Sequence, residues 1–197
     1  MYSQVYQDEF AAKLIGSAGF FVDVGAGDGY NRPNGGNSQY LEELGWKGIL
    51  IEGNEQFHQY SKLNRKSISV HAFIPSIKII DILKNNNCPN VIDYLSIDIE
   101  PSSLVALKDF PFDEYEFKVL TFEHDSYRFG ISDKTDSWKI LSENGYICLC
   151  EDVETPQLAG PYEDWWINPK YFTPNFIEKN KSKGLKGQEI VNGIIDC

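Results

Sequence analysis

The sequence predicts an α/β domain built on a doubly wound, mostly parallel sheet of seven strands with helices on both faces. Three observations carry that prediction. Apolar runs of six or seven residues alternate with helical patterns along the chain. Most of the runs are continuous rather than alternating, as strands buried on both faces must be. The first run leads into a glycine-rich turn, "DVGAGDG" at 23–29, where open sheets of this kind bind ligands.

Taken in order, strands are expected at 19–24, 47–52, 67–73, 92–98, 117–123 and 145–150, followed by a late edge strand near Trp165 and Trp166. Between them, Tyr40, Leu41 and Leu44 share one side of a short helix. Asn37 and Ser38 offer its cap, and Gly45 suits the left-handed residue that ends it. Residues 76–86 place Ile77, Ile79, Ile80 and Leu83 at helical spacing after Pro75, and the helical pattern of 134–145 again ends at a glycine. After Thr155 the pattern weakens: 155–176 hold four of the nine prolines, so an irregular or short helical tail is expected. No repeat or linker marks a second domain. The organisation reads as an N-terminal helix within 1–18, a core over 19–168 and a tail over 169–197.

A chain of 197 residues with 42% hydrophobic content can bury one core of its own. Its formal charge of −11 repels phosphates, so neither nucleic acid nor an anionic membrane is an expected partner. The lysines of 179–188 read as a solvated segment. No apolar run approaches the roughly 20 residues that cross a bilayer, and no signal peptide is seen, so a cytoplasmic location is expected. Cys88, Cys148, Cys150 and Cys197 form no CxxC pair. Cys148 and Cys150 are expected on one side of a strand as free thiols, with neither zinc nor a disulfide framework.

The glycine turn narrows the ligand. A dinucleotide site reads GxGxxG and runs straight into a helix whose N-terminus meets the pyrophosphate. Here the spacing is GxGxG, Tyr30 stands at the third glycine's place, and "NRPNGG" delays helix entry to about Asn37. A nucleoside without phosphates fits better. Glu52 ends the second strand, where a carboxylate can accept hydrogen bonds from both hydroxyls of a ribose. Adenosine carrying a zwitterionic arm, S-adenosylmethionine, asks for this combination.

Five stretches together resemble the FkbM-like S-adenosylmethionine-dependent methyltransferases, over most of the chain: "YSQVYQDEF" (2–10), "GFFVDVGAGDGY" (19–30), "NSQYLEELGWKGILIEGN" (37–54), "IDYLSIDIE" (92–100) and "LTFEHDSY" (120–127). The resemblance implies a Rossmann-like, class I methyltransferase fold. It also implies that Gln4, Gln7 and Asp8, with Asn37 and Ser38, lie near the methionine arm. Asp23, Gly25, Ala26, Gly27, Asp28 and Gly29 would form the turn; Glu52, Gly53 and Asn54 would meet the ribose; Ala72, Phe73 and Ile74 would wall the adenine; and Asp98 would reach the cofactor. Three departures stand out. Relatives read IDxEGxE after the fourth strand, where this chain reads Ile97-Asp98-Ile99-Glu100-Pro101-Ser102-Ser103. The loop after the turn is longer, which leaves open which of Asn34, Asn37 and Ser38 meets the cofactor. His71 stands where many relatives carry asparagine.

Methyl transfer needs an in-line acceptor, exclusion of water and a proton acceptor if the acceptor is a hydroxyl. Asp98, Glu100, Glu123, His124 and Asp125 gather at the ends of the fourth and fifth strands. His124 is the candidate general base, with Asp98 and Glu100 as further catalytic candidates. Asp98 with Glu123 or Asp125 could instead hold magnesium. "PYEDWW" (161–166) is either an aromatic platform for a saccharide or the closure of the core. The expected function is O-methylation of a sugar, glycan or small-molecule hydroxyl. The alternative is a non-catalytic nucleoside-binding module in surface-sugar synthesis, and the GxGxG spacing disfavours a nicotinamide-dependent oxidoreductase. So short a chain is expected to leave its acceptor site open, or to complete it through a second subunit in a homodimer.

Overall fold

A computed structural model describes residues 3–29, 36–155 and 160–195. Tyr30 and Asn34, both singled out above, lie outside the described residues. Eight strands form one sheet: β1 (Phe20–Val24), β2 (Lys47–Glu52), β3 (Ile68–His71), β4 (Val91–Ile97), β5 (Glu116–Glu123), β6 (Ile147–Val153), β7 (Glu163–Ile167) and β8 (Ser182–Lys183). Their spatial order is β3-β2-β1-β4-β5-β7-β6-β8. All neighbours are parallel except β7, which runs antiparallel to β5 on one side and β6 on the other. The chain therefore winds outward from β1 to β3, returns to β4 beside β1, and winds the other way. That reversal opens a crevice at the carboxyl ends of β1 and β4.

Period-two alternation divides the side chains between two cores. Val22, Ile49, Ile97, Leu120 and Trp166 face one side, where α4 (Ile79–Asn85), α5 (Ser103–Asp109) and α7 (Ser132–Glu143) bury Ile79, Leu107 and Leu141. Phe21, Leu50, Tyr94, Val119 and Trp165 face the other, covered by α1 (Gln7–Ile15), α2 (Gln39–Glu43), α8 (Pro174–Asn180) and α9 (Gly187–Gly193). The remaining α-helices among the described residues are α3 (Glu55–Asn64), against β2 and β3, and α6 (Ser126–Phe129). The helical pattern at 76–86 is realised only from Ile79, whose amide is capped by Asp109 Oδ2 at 2.8 Å; Ile77 stays exposed. None of the described helices is long and apolar enough to cross a membrane.

Three expectations need correction. The sheet has eight strands rather than seven, because Ser182 and Lys183 add a short strand to β6 at Cys150 and Glu151, within a segment read as solvated. The strand holding Trp165 and Trp166 is not an edge: β7 is inserted between β5 and β6 and buried along its whole length. Its two acids are held inside the protein: Glu163 accepts from Trp165 Nε1 at 2.6 Å and Gln7 Nε2 at 3.2 Å. Asp164 likewise accepts from Trp138 Nε1 at 2.6 Å and the Asp152 amide at 2.7 Å, so both are satisfied inside the protein. Burying each of the two indoles from water contributes upward of about 2 kcal/mol. Finally, Cys148 pairs with Trp166 and Cys150 with Trp165, so Leu149 is an extra residue in a β-bulge. The two thiols consequently pack into opposite cores.

Candidate active site

The carboxyl ends of β1 to β5 and the beginning of the reversed strand β7 meet around a cavity of about 810 Å³. That lies within the ordinary range for small-molecule sites. Its floor is the glycine turn. Asp98 N donates to Val24 O at 2.9 Å and Gly25 N donates to Ile51 O at 2.9 Å, so the turn is tied to the ends of both neighbouring strands. Gly25 has φ +96°, and a Cβ there would stand 1.7 Å from the Asp98 carbonyl oxygen. Only glycine permits this approach.

Beside the turn, the Glu52 carboxylate lines the cavity with both oxygens engaged by the main chain. Oε2 accepts from Gly27 N at 2.8 Å and Oε1 from Asn54 N at 2.7 Å. A carboxylate has about four acceptor positions, so two hydrogen bonds leave room for a ligand's vicinal hydroxyls. Burial raises the Glu52 pKa, while the amides of Asn54, Gly27 and Gly53 pull it back down. Asn54 also caps α3 by accepting from Phe57 N at 3.1 Å. An apolar wall follows: Ile51, Phe57, Ala72, Phe73, Ile74 and Ile99 line the cavity, and Phe73 is 64% exposed.

The opposite wall is acidic. Asp98, Glu100 and Glu123 line it together with Gln4 and Tyr162, whose hydroxyl donates to Gln4 Oε1 at 2.9 Å. Asn37 Nδ2 holds Asp98 Oδ2 and Ser96 Oγ, each at 3.1 Å. Glu100 pairs with Arg128 at 2.7 Å. Glu123 is buried and its Oε2 has no partner; burial first, then the charge of Asp98, push its pKa far above the carboxylate range. Asp125, just past β5, is pushed up to about 8 by burial and by Glu100.

Of the residues singled out from sequence, Gln4, Gly25, Gly27, Glu52, Gly53, Asn54, Ala72, Phe73, Ile74, Asp98, Glu100 and Glu123 come together here. Gln7, Asp8, Asp23, Ala26, Asp28, Asn37, Ser38 and His124 do not line the cavity. Gln7 bridges the Val5 amide to Glu163. Asp8 accepts from Ser3 Oγ at 2.6 Å and from the amides of Glu9 and Tyr40, which ties α1 to the start of α2. Asp23 accepts from Ser38 Oγ at 2.6 Å, and Ser38 in turn accepts from Arg65. Burial pushes Asp8 and Asp23 each up to about 6. Ala26 is buried with its amide on Ile51 O, and the Asp28 carbonyl accepts from Asn64. Asn37 acts one step away, through Asp98.

His124 is the largest departure. Its side chain is fully buried, Nδ1 accepts from Ser126 N at 3.2 Å, and Nε2 lies 3.5 Å from Asp164 Oδ1. The ring adjoins a neighbouring pocket of 180 Å³ rather than the main cavity. The general base expected at His124 therefore does not line the main cavity. Sequence reading missed Tyr162, Phe57 and Ile99 as lining residues. For Tyr162 the signal is present in "PYEDWW", whose two tryptophans are core while the tyrosine lines the cavity.

No protein-family model matches the sequence, and no curated protein matches it. Solved structures do share its fold. A TehB-like SAM-dependent methyltransferase from Corynebacterium glutamicum superposes with a TM-score of 0.53 at 13% identity, over 83% of this chain and 88% of that one. The Dnmt2 methyltransferase of S. pombe gives 0.53 at 13%, over 76% of this chain and 49% of that one. TYW2 of P. horikoshii, solved in complex with MeSAdo, gives 0.53 at 14%, over 85% of this chain and 62% of that one. The chain thus spans about half to two-thirds of the length of the last two. At such identities the likeness is one of architecture: the chain has the Rossmann-like, mixed α/β fold of class I SAM-dependent methyltransferases.

Proposed function

We propose that the cavity binds S-adenosylmethionine and that the chain is an enzyme transferring its methyl group to a hydroxyl of a sugar, glycan or other small molecule, in the manner of the FkbM-like family it resembles. The observation that carries this reading is Glu52, held by two main-chain amides on the cavity wall beside a turn that admits no Cβ at Gly25. The residues fit the cofactor. Glu52 offers acceptors to a ribose diol, Ala72, Phe73, Ile74 and Ile99 offer an apolar slot for a base, and Gly27, Asp98 and Gln4 offer polar contacts for an amino-acid arm. When bound, the cofactor supplies a methyl group on a sulfonium.

The chain's own part is positioning and proton transfer. Asp98, oriented by Asn37, is the lining carboxylate set to receive the acceptor's proton. Glu123 lines the same wall, and burial favours its protonated form while no cation is bound beside it. Acids on that wall and a net charge of −11 disfavour an RNA acceptor and favour an uncharged hydroxyl compound in the cytoplasm, with no membrane partner.

A second reading, cofactor binding without turnover, draws on His124 being turned away, which leaves the cavity without an imidazole. Titration calorimetry with S-adenosylhomocysteine and with NAD, followed by methyl transfer from labelled cofactor to a panel of glycans, tests both. Uptake of S-adenosylhomocysteine with labelled product supports the enzyme; uptake without product across the panel supports the binding module; preference for NAD sinks both.

A further inference from the structure

Where the cavity meets its smaller neighbour, three carboxyl groups converge from two strand ends. Glu100 follows β4; Glu123 closes β5 and Asp125 lies two residues on. Glu100 and Glu123 line both cavities, and Asp125 lines the smaller. One oxygen from each lies within 4.8 Å of the others. Two ligands of one ion, each at about 2.0–2.6 Å, stand at most roughly 4–5 Å apart, so this spacing is that of a coordination shell.

Proximity of acids alone proves little, because acids cluster on many surfaces. Asp125, however, is only 2% exposed, and neither of its oxygens has a hydrogen-bond partner among the described residues. Glu123 is equally buried, with Oε2 unpartnered. Buried carboxylate oxygens are almost always satisfied, by donors or by a cation. Arg128 bonds Glu100 at 2.7 Å from a half-exposed position and leaves both Asp125 oxygens and Glu123 Oε2 without a hydrogen bond among the described residues.

We infer that Glu100, Glu123 and Asp125 form a binding site for one divalent cation of the magnesium or manganese type. An all-oxygen set lining the junction of two cavities suits such ions, which keep several waters and use few protein ligands. This set differs from the one expected from sequence: Asp98 is held by Asn37 on the cavity side, and Glu100 takes its place. The site's use rests on the function proposed above. A cation at the junction would orient an acceptor hydroxyl toward the cofactor cavity and lower its pKa, with the released proton passing to Asp98.

The test uses Mn²⁺ as probe on the full chain, followed by electron paramagnetic resonance, with S-adenosylhomocysteine binding measured on the same samples by calorimetry. The expected result is one Mn²⁺ per chain bound below about 1 mM, with affinity at least ~10-fold lower in Asp125→Asn and unchanged in Asp113→Asn, an exposed acid elsewhere. Asp125→Asn keeps the side chain's size and shape, and thermal unfolding of each variant checks that the fold is retained. Mn²⁺ should raise the unfolding temperature of wild type but not of Asp125→Asn. Absence of Mn²⁺ uptake in wild type, or equal uptake by Asp125→Asn, overturns the inference. Cofactor-product binding with no Mn²⁺ uptake sinks the cation site alone; Mn²⁺ uptake without cofactor-product binding supports the site and sinks the methyltransferase reading.

Discussion

Glu52 Oε2 accepts the main-chain amide of Gly27 across 2.8 Å, so the acid at the end of the second strand and the turn after the first are locked together. The carboxylate is thereby fixed before any ligand arrives, and its loss should fall mainly on ligand affinity. Glu52→Ala is expected to weaken S-adenosylhomocysteine binding about 10–100-fold, the worth of hydrogen bonds to a charged group. In wild type, the 2′-deoxyribose analogue should lose part of that affinity, and in Glu52→Ala the deoxy substitution should cost nothing further. Additive losses in calorimetry would place Glu52 elsewhere.

Gly25 and Gly145 both adopt positive φ, +96° and +83°, but only Gly25 faces a wall. A Cβ at Gly145 meets nothing within 4 Å, so Gly145→Ala should cost only the backbone penalty of about 1 kcal/mol. Gly25→Ala must move the Asp98 carbonyl, and is expected to lower the unfolding temperature further and abolish cofactor-product binding. Equal stability of the two variants in thermal melts would contradict the close approach.

Asp23 gives a pH signature. Its pKa rises from 3.8 to about 6 on folding, because burial outweighs the Ser38 hydrogen bond and the Arg65 charge. Between those values the native state holds a proton that the unfolded chain releases, so this group's contribution to stability falls as pH rises from about 4 to about 6 and stays low above. Asp23→Asn keeps an acceptor for Ser38 and removes the titration. Its unfolding temperature relative to wild type should therefore climb by several degrees between pH 4 and pH 7; a flat or falling difference would contradict the assignment.

The described thiols should be sluggish. Burial pushes Cys88 and Cys150 up to about 12 and Cys148 higher still, which leaves little thiolate at neutral pH. In a Cys197→Ser background, a disulfide reagent at pH 8 should react at least ~10-fold more slowly with the native chain than with the denatured one. Rapid labelling of the native protein would show a thiol more open than the fold allows.

Much of this architecture was legible in the sequence because it is written in hydrophobic runs. "KGILIE" predicts β2 at its observed bounds, since a continuous apolar run bracketed by glycines leaves little choice. The polar helix α3 and the short α5 show no such stripe and escaped notice. The cavity was legible where side chain and strand end coincide, as at Glu52 and Asp98. It was not where direction depends on distant partners. Asp8, Asp23 and Ser38 carry the right chemistry for a ligand but spend it on Ser3, Arg65 and one another. His124 lies beside Asp164, a residue of a strand that the sequence suggested was peripheral.

The insertion of β7 between β5 and β6 also constrains the order in which the protein can be assembled. Until Glu163–Ile167 have left the ribosome, β6 has no strand with which to join the sheet, because its only tie to β5 runs through that later segment. A nascent chain halted before Glu163 can close the parallel half around β1 and β4, yet must hold Leu149, Cys150 and Val153 without the cover they have in the finished sheet. Premature termination in that interval should yield a species prone to chaperone capture and aggregation.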